Sequence, residues 1–337
     1  MNNHPPQSDS ALEVHKYPIG VIIPTYNRSD ALLTCLEHLE RQTWTDFQVI
    51  IVDDGSTDST PRLLEEYPRK SRLHLDCMRQ DNSGPARARN VAISALQAPI
   101  CLMIGDDIFA SPTLVSKHLH LHQQKPEMKV AALGLTRWSD TGQTVTKFMR
   151  WLDDSGMQFA YQDLLRGVHP DWKHFYTSNL SLKTKVLREN PFNESFPKAA
   201  MEDLELGYRL QKQHGLEMVF LPEAFASHHH PTNFRQACRR AFGIGLSSRM
   251  FHEIWPEHGP VQGNSFRHVV RDLFLSNQWL LPPLTTVADV LTRFWCPNPL
   301  MREVLNLYSA LGQRGNSSAN KSLSGDRGVP RHKFPPA

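Results

Sequence analysis

The sequence predicts an α/β fold, with a doubly wound, mostly parallel sheet followed by a helical C-terminal extension. Short apolar runs of strand length alternate with segments of helical periodicity over the first 135 residues, and the connections are short. This alternation is typical of a parallel sheet covered by helices on both faces. Polar clusters also follow four of the expected strands. In parallel sheets of this kind, the carboxyl ends of the strands meet at one edge, where ligands bind.

The first strand is predicted in the apolar run 19–23, which Pro24 closes. A helix is expected to follow through Arg41, with Ser29 or Asp30 as its N-cap. Further strands are predicted at 47–52, 73–77, 100–104 and 130–135, and further helices at 59–67, 85–96 and 112–124. Each change of period between strand and helix is marked by a turn-forming residue or a polar cluster.

Periodicity weakens between 137 and 200 and returns in the second half. Strands are predicted at 178–182 and 218–221, and a helix at 202–212 is ended by Gly215. Apolar stripes at 266–274 and 284–294 predict helices, and the polar tail predicts disorder. The expected organisation is a flexible lead (1–17), an α/β domain (18–235), a helical region (236–311) and a disordered tail (312–337).

The 337-residue chain has a formal net charge of +3, which argues against a protein built to bind nucleic acid. The charge is uneven, because residues 233–337 hold 13 Lys and Arg against 6 Asp and Glu. This basic excess predicts either solvated helices and a basic tail, or peripheral contact with a phosphate-bearing partner or an anionic membrane surface.

Five cysteines without a CxxC pair predict neither a disulfide framework nor a zinc knuckle. The polar start lacks the features of a signal peptide, and no apolar run approaches the length of about 18 residues that a membrane span requires. We therefore expect a cytoplasmic protein, with peripheral contact at the inner membrane surface left open.

The polar clusters at 25–28, 53–56, 82–84 and 106–107 predict a ligand site at the sheet edge. Neither a GxGxxG turn after the first strand nor a GxxxxGK[ST] loop is present. The clusters offer carboxylates instead, and a carboxylate binds phosphate only through a hard cation. We therefore expect a divalent cation held between aspartates and a diphosphate.

A series of short motifs runs through both halves of the chain. The first half contains IIPTYNR, QTWTDFQVIIVDDGSTDST, NSGPARARN and GDD, and the second contains SNLSLKTKVL, FNESF, MEDLELGYRLQKQHG and FASHHHP. In content and order they resemble the family 2 glycosyltransferases of GT-A fold, of the nucleotide-diphospho-sugar transferase superfamily, over roughly residues 18–235. The resemblance implies a hexosyltransferase-type enzyme that uses a nucleotide-diphosphate-sugar donor.

The resemblance also implies which residues bind the donor. Pro24 and Tyr26 match the first-strand turn that lines the nucleotide base, and Asp54 matches the aspartate that accepts from a uracil-type ring nitrogen. Arg89 belongs to a segment near the nucleotide, and Asp106 is expected to face the ribose or the sugar.

For the metal, Mn²⁺ or Mg²⁺, the resemblance implies Asp107 as the ligand. Gly105 stands where many members have a first Asp, which leaves open either a harmless variant or weaker metal binding. Of the histidines in FASHHHP, His228 fits the family's spacing best and His230 is the alternative. His118 and His122 share a helix face without a third ligand, so we expect them, with His120, to be surface and packing groups.

Glu202 and Asp203 begin a predicted helix, where the macrodipole keeps a carboxylate ionised. From the pattern alone, both are better explained as ordinary acidic residues of a first turn, which the helix dipole favours. The resemblance implies that Asp203 is the catalytic base, taking the proton of the acceptor hydroxyl, and that Glu202 orients it or binds acceptor.

The expected function is metal-dependent, inverting transfer of one sugar to a glycan, lipid-linked or small-molecule hydroxyl acceptor, in cell-surface or secondary glycan or glycolipid synthesis. Processive polysaccharide synthases of the family carry a QxxRW motif, and residues 236–240 lack its Trp, so the resemblance implies non-processive transfer. In FNESF, Asn193 replaces the Asp of the family's usual FDE, which leaves an acceptor role at this position in doubt. A sugar nucleotidyltransferase is one alternative, although its Gly-rich loop is missing. A catalytically lapsed nucleotide-sugar-binding protein is the other, favoured by Gly105 alone.

Overall fold

The computed structural model describes residues 15–139, 142–196, 200–258 and 275–315. Within them, the strands are β1 (Gly20–Thr25), β2 (Gln48–Asp53), β3 (His74–Arg79), β4 (Ile100–Ile104), β5 (Ile108–Ala110), β6 (Val130–Trp138), β7 (Asn179–Lys183) and β8 (Glu217–His228). The helices before the sheet's last strand are α1 (Ser29–Glu40), α2 (Thr60–Glu66), α3 (Pro85–Ala95), α4 (Leu114–Gln124), α5 (Lys147–Asp154), α6 (Tyr161–Leu165), α7 (Thr184–Glu189) and α8 (Glu202–His214). In the described part of the chain, the α-helices after this strand are α9 (Phe234–Ile254), α10 (Leu281–Leu291) and α11 (Asn298–Gln313).

The strands form one sheet in the order β3-β2-β1-β4-β7-β6-β8-β5. Parallel pairing joins β3, β2, β1 and β4, and also β6 with β8, whereas β7 is antiparallel to both of its neighbours and β5 to β8. The mostly parallel α/β sheet predicted from the sequence is confirmed.

Helices cover both faces because successive strand residues point to opposite sides. Ile22 and Ile50 pack with the apolar residues of α3, α7 and α8, whereas Val21 and Val49 pack with those of α1, α2 and α4. Both clusters are almost completely buried. The near-continuous apolar composition of β1 and β2 follows from this burial on two sides.

Several sequence predictions need correction at their ends. Neither Ser29 nor Asp30 is the N-cap of α1; the cap residue is Arg28, which makes no capping hydrogen bond through its side chain. Strand β5 was not predicted, because its three residues are too few for a periodic pattern. Strand β8 is longer than predicted, since it runs to His228 beside a register shift at Gly134/Leu135 of β6.

The helical C-terminal region packs on α5 and shares an apolar cluster with it, built around Trp151, Phe234, Phe242 and Tyr308. Of the stripe predicted at 284–294, Leu284 and Leu291 pack on this cluster, but Val287, Val290 and Phe294 are exposed because the inward face of α10 is formed by Leu281, Thr285 and Ala288.

The stripe predicted at 266–274, most of the tail and residues 1–14 lie outside the described residues. The domain boundaries stay predictions. Among the described helices, we find none with the length and apolar character needed to span a membrane.

Candidate active site

A cavity of about 870 Å³ lies at the carboxyl ends of β1, β2 and β4. All four polar clusters expected at the sheet edge contribute to its wall, through Thr25, Tyr26, Arg28, Asp54, Asn82, Ser83, Gly84, Asp106 and Asp107. The helix α8 and the segment at the end of β8 add Glu202, Asp203, His228 and His230. The predicted convergence of the clusters is confirmed, because parallel strands deliver their ends to the same edge.

Asp54 organises the wall of the cavity next to the end of β2. Its carboxylate accepts hydrogen bonds from Gln80 Nε2 at 2.7 Å and from the backbone N–H groups of Ser83 and Gly84, each at 2.8 Å. A carboxylate has about four acceptor positions, so the contacts within the described part of the chain leave one position of Asp54 for a ligand. Pro24 and Tyr26 line the same cavity, and the half-exposed ring of Tyr26 is accessible to a planar ligand.

Asn27 ties the loop after β1 to the loop after β2. Its Oδ1 accepts from the backbone N–H of Thr57 at 2.7 Å and of Asp58 at 3.2 Å, and its own N–H donates to Ser56 Oγ at 2.8 Å. Asn27 has a φ of 54°, a left-handed conformation that asparagine tolerates better than most residues. This turn sets the direction in which Arg28 leaves the strand.

Asp106 and Asp107 differ in their hydrogen-bond partners and in the direction in which their pKa values are shifted. Thr25 Oγ1 donates to Asp106 at 2.8 Å, and Arg28 Nη1 donates to Asp106 at 3.1 Å and is also paired with Asp107. Burial raises the pKa of Asp106 to about 6, although Arg28 opposes the rise. Burial acts on Asp107 in the same way, but His228, His230 and Arg28 outweigh it and hold the pKa of Asp107 well below its usual range.

Asp107, His228 and His230 form a candidate metal site. One ligand atom from each lies within 4.8 Å of the others, and Asp107 Oδ2 is 3.2 Å from His230 Nδ1 and 3.6 Å from His228 Nε2. His228 is buried and stacks on Trp138, whereas His230 is partly exposed. One carboxylate with two imidazoles fits a divalent cation that accepts nitrogen ligands, such as Mn²⁺, better than the oxygen-preferring Mg²⁺.

Gly105 leaves space beside this carboxylate. A Cβ at position 105 would lie 2.8 Å from Asp107 Oδ1 and 3.3 Å from Ile108 Cγ1. A larger residue would therefore push against the oxygen that faces away from the histidines. Gly105 is compatible with an intact Asp107 and is not by itself a mark of a lost site.

Glu202 and Asp203 lie together at the start of α8 with different surroundings. Arg89 Nη1 is 2.9 Å from Glu202 Oε1; the Glu202 side chain is buried, and 12% of the Arg89 side chain is exposed. Arg89 lines the cavity, and its guanidinium donates to Glu202; its expected place near the nucleotide stays a prediction. Burial and the Glu202 carboxylate raise the pKa of Asp203 to about 7, while Arg89 acts in the opposite direction.

Met201, immediately before this pair, has a φ of 71°. A bulky side chain in the left-handed region is strained, and such strain often marks a functional site. Here it redirects the chain into α8, so that the first two residues of the helix both face the cavity.

Sequence reasoning missed two cationic residues of the cavity. Arg28 closes the IIPTYNR motif but was not distinguished from the turn around it. Arg240, on α9, extends into the cavity and is affected electrostatically by Asp203, Asp107 and Glu202. Among the described residues, no hydrogen bond or ion pair reaches Arg240. The one indication in the sequence was that Arg240 belongs to residues 236–240, which partly match the QxxRW motif.

His118 and His122 of α4 are buried packing groups, in agreement with the expectation of surface and packing roles for the histidines of this helix. His118 Nδ1 and His122 Nε2 lie 2.8 and 2.9 Å from Ser181 Oγ, and His118 Nε2 lies 2.9 Å from Asn179 Oδ1. His120 is exposed. The buried pair therefore joins α4 to β7, because polar groups in a core need hydrogen-bond partners.

A mostly parallel sheet with a carboxylate-rich cavity at its strand ends is the architecture of the GT-A glycosyltransferases. The chain belongs to glycosyl transferase family 2, whose family model matches residues 20–188. Among curated relatives, it is 32% identical over 232 residues to validoxylamine A glucosyltransferase of Streptomyces hygroscopicus subsp. jinggangensis. That alignment covers 61% of this chain and 54% of the relative, so the chain spans about half of the relative's length.

Two solved structures share the fold. TarS 1–349 of S. aureus, solved in complex with UDP, is similar with a TM-score of 0.51 and 18% identity, covering 88% of this chain and 90% of that one. The mannosyltransferase PcManGT of Pyrobaculum calidifontis, solved with GDP-Man and Mn²⁺, gives a TM-score of 0.54 and 15% identity, covering 94% and 78%. At these low sequence identities, the two comparisons show that the fold is shared and nothing further.

Proposed function

We propose that this protein transfers a single sugar from a nucleotide-diphosphate-sugar donor, with a UDP-type donor favoured, to a hydroxyl acceptor with inversion at the sugar carbon. The observation that carries the proposal is one cavity lined by Asp54, by the Asp107 and histidine cluster, and by Asp203. Asp54 offers a hydrogen-bond acceptor for the nucleobase, the Asp107 and histidine cluster offers a cation site for the diphosphate, and Asp203 offers a carboxylate for proton transfer.

On the donor side, the remaining acceptor position of Asp54 and the exposed ring of Tyr26 suit a nucleobase. Asp107, His228 and His230 would hold the metal, which when bound supplies positive charge to the leaving diphosphate. The UDP complex of TarS and the GDP-Man and Mn²⁺ complex of PcManGT support this kind of ligand in the same fold.

On the acceptor side, we propose that Asp203 takes the hydroxyl proton as the sugar carbon is attacked. A base works best when its pKa lies near the working pH, and the pKa of Asp203 is raised to about 7. Glu202 is held in an ion pair with Arg89, and its negative charge contributes to the raised pKa of Asp203, so the proposal makes Glu202 a positioning residue.

The proposal is tested by incubating the protein with Mn²⁺ and a panel of UDP- and GDP-sugars, with and without candidate acceptors, and measuring released nucleoside diphosphate. We expect Asp203→Asn to bind UDP as the unaltered protein does but to lose transfer on the order of 10²–10⁴-fold. The matched control is Asp46→Asn, an exposed aspartate outside the cavity that undergoes the same chemical change.

Full transfer by the Asp203→Asn variant would refute the assignment of the base. Binding of UDP without any release of nucleoside diphosphate would favour a lapsed sugar-nucleotide-binding protein. Consumption of a nucleoside triphosphate with release of pyrophosphate would favour a nucleotidyltransferase. A glycan, lipid-linked or small-molecule acceptor, peripheral contact of the basic C-terminal region with a membrane, and a cytoplasmic location stay predictions.

A further inference from the structure

The Arg28 guanidinium lies among the groups that would bind the metal. Its Nη1 donates to Asp106 Oδ1 at 3.1 Å and is also bonded to Asp107 Oδ2. Its Nη2 lies 3.3 Å from His230 Nδ1. Thus one cationic side chain contacts two of the three candidate metal ligands and the neighbouring carboxylate.

The oxygen that Arg28 uses is the one that a metal would need. Asp107 Oδ2 is the carboxylate oxygen that lies close to both imidazoles, at 3.2 Å from His230 and 3.6 Å from His228. A guanidinium and a divalent cation on the same oxygen would repel each other strongly, because their charges would be in contact in a buried setting. Arg28 and the metal therefore compete for Asp107.

Of the two sides of this ion pair, Arg28 is the one with room to move. Its side chain is 39% exposed, whereas those of Asp106 and Asp107 are 7% and 12% exposed. Asp106 is also fixed by Thr25, and the backbone carbonyl of Asp107 accepts from the N–H of His229 at 2.8 Å. The long arginine side chain can swing toward the cavity while the carboxylates stay in place.

We propose that Arg28 is an exchangeable internal cation of the active site. In the metal-free protein it neutralises Asp106 and Asp107 and holds them in the geometry that the metal will use. When the metal binds, Arg28 leaves Asp107 and binds the diphosphate of the donor. The inference rests on the proposed function, since it names a further residue that binds the same donor.

This exchange makes the metal and the nucleotide bind cooperatively. The metal alone must displace Arg28 into solvent, whereas with a diphosphate present the displaced guanidinium gains an anionic partner. UDP should therefore raise the affinity for Mn²⁺, and by linkage Mn²⁺ should raise the affinity for UDP by the same factor. Without the guanidinium, Mn²⁺ alone should bind more tightly and this coupling should shrink.

The test is to titrate Mn²⁺ into the full chain, by calorimetry or by the spin-resonance spectrum of free Mn²⁺, with and without UDP. For Arg28→Gln we expect Mn²⁺ alone to bind on the order of tenfold more tightly than to the unaltered protein, with a coupling factor closer to one. Arg28→Lys keeps the charge but cannot bridge two carboxylates, so we expect an intermediate affinity.

Arg240→Gln is the matched control. It removes the same charge from the same cavity, but Arg240 is not bonded to Asp107. If charge at a distance were the cause, Arg240→Gln would tighten Mn²⁺ binding as much as Arg28→Gln does, and the inference would be overturned. An unchanged Mn²⁺ affinity in both Arg28 variants, with folding verified by thermal melting, would overturn it as well.

The outcomes also separate this inference from the proposed function. If the unaltered protein binds no nucleoside diphosphate, with or without Mn²⁺, the proposed function fails. If it binds UDP and Mn²⁺ but both Arg28 variants behave as it does, only the exchange fails.

Discussion

At the scale of single residues, the active site depends on how buried carboxylates are paired. Glu202 has Arg89 as a partner at 2.9 Å, and Asp107 is surrounded by Arg28 and two histidines. Asp203 lies in the same cavity and has no ion-pair partner among the described residues; burial and the neighbouring Glu202 carboxylate raise its pKa to about 7, although Arg89 acts in the opposite direction. Adjacent carboxylates of one site are thus divided between charge-bearing groups and a group that exchanges a proton near neutrality.

This division predicts the pH dependence of transfer. A base must be ionised, so activity should fall as the pH drops below about 7 and level off above it. In Glu202→Gln, the charge that raises the pKa of Asp203 is removed, so the acid limb of the profile should move to lower pH. The measurement is the pH profile of kcat/KM for both proteins; an acid limb that stays in place would contradict the assignment.

At the scale of elements, the polar contact between α4 and β7 depends on neutral histidines. Burial lowers the pKa of His118 to about 4, and the hydrogen bond to Asn179 opposes this only in part. The pKa of His122 is lowered further, to about 3, mainly by burial and in addition by the charge of Lys183. Protonation of either imidazole would place a charge in the core.

We therefore predict that the protein loses stability as the pH falls. Between pH 6.5 and 4 the unfolded chain binds a proton at position 118 that the folded chain does not, so the free energy of unfolding decreases by about 3 kcal/mol from His118 alone. His118→Gln should show a shallower decrease, measured by urea unfolding at several pH values. His120→Gln, exposed on the same helix, should follow the unaltered protein, and equal slopes for both variants would contradict the prediction.

At the scale of the whole molecule, the C-terminal helices complete the wall of the active-site cavity and cover the apolar side of α5. Helix α9 supplies Arg240 and Ile244 to the cavity wall, and α9 and α11 cross so closely that a Cβ on Gly245 would lie 1.9 Å from the carbonyl oxygen of Ser309. The same helices cover the apolar side of α5, including Trp151. The sheet and these helices are therefore expected to fold as a unit.

A truncated chain tests this expectation. Ending the chain at residue 233 would expose the apolar side of α5 and remove part of the cavity, so we expect aggregation and loss of UDP binding. Ending it at residue 315, just after α11, removes only the polar tail and should leave the thermal midpoint and UDP binding unchanged. Sedimentation and calorimetry check both; a folded, UDP-binding monomer from the shorter chain would contradict the prediction.

The sequence by itself determined the parallel α/β core and the position of the site. Apolar runs of β1, β2 and β4 end in polar residues, and the topology of a parallel sheet then brings those residues to one edge. The positions of Asp54 and Asp107 were accessible to this reasoning because each follows the end of a strand, whereas the role of Asp203 came only from the family resemblance.

Only the tertiary structure decided how these groups are paired. Arg28 and His230 are 202 residues apart in the chain, and Arg89 and Glu202 are 113 apart. The short strand β5 and the packing of α9, α10 and α11 on α5 also depend on contacts between distant parts of the chain. Local periodicity reports which face of an element is buried, whereas a pairing between distant side chains exists only after the chain has folded, so the sequence pattern could not predict it.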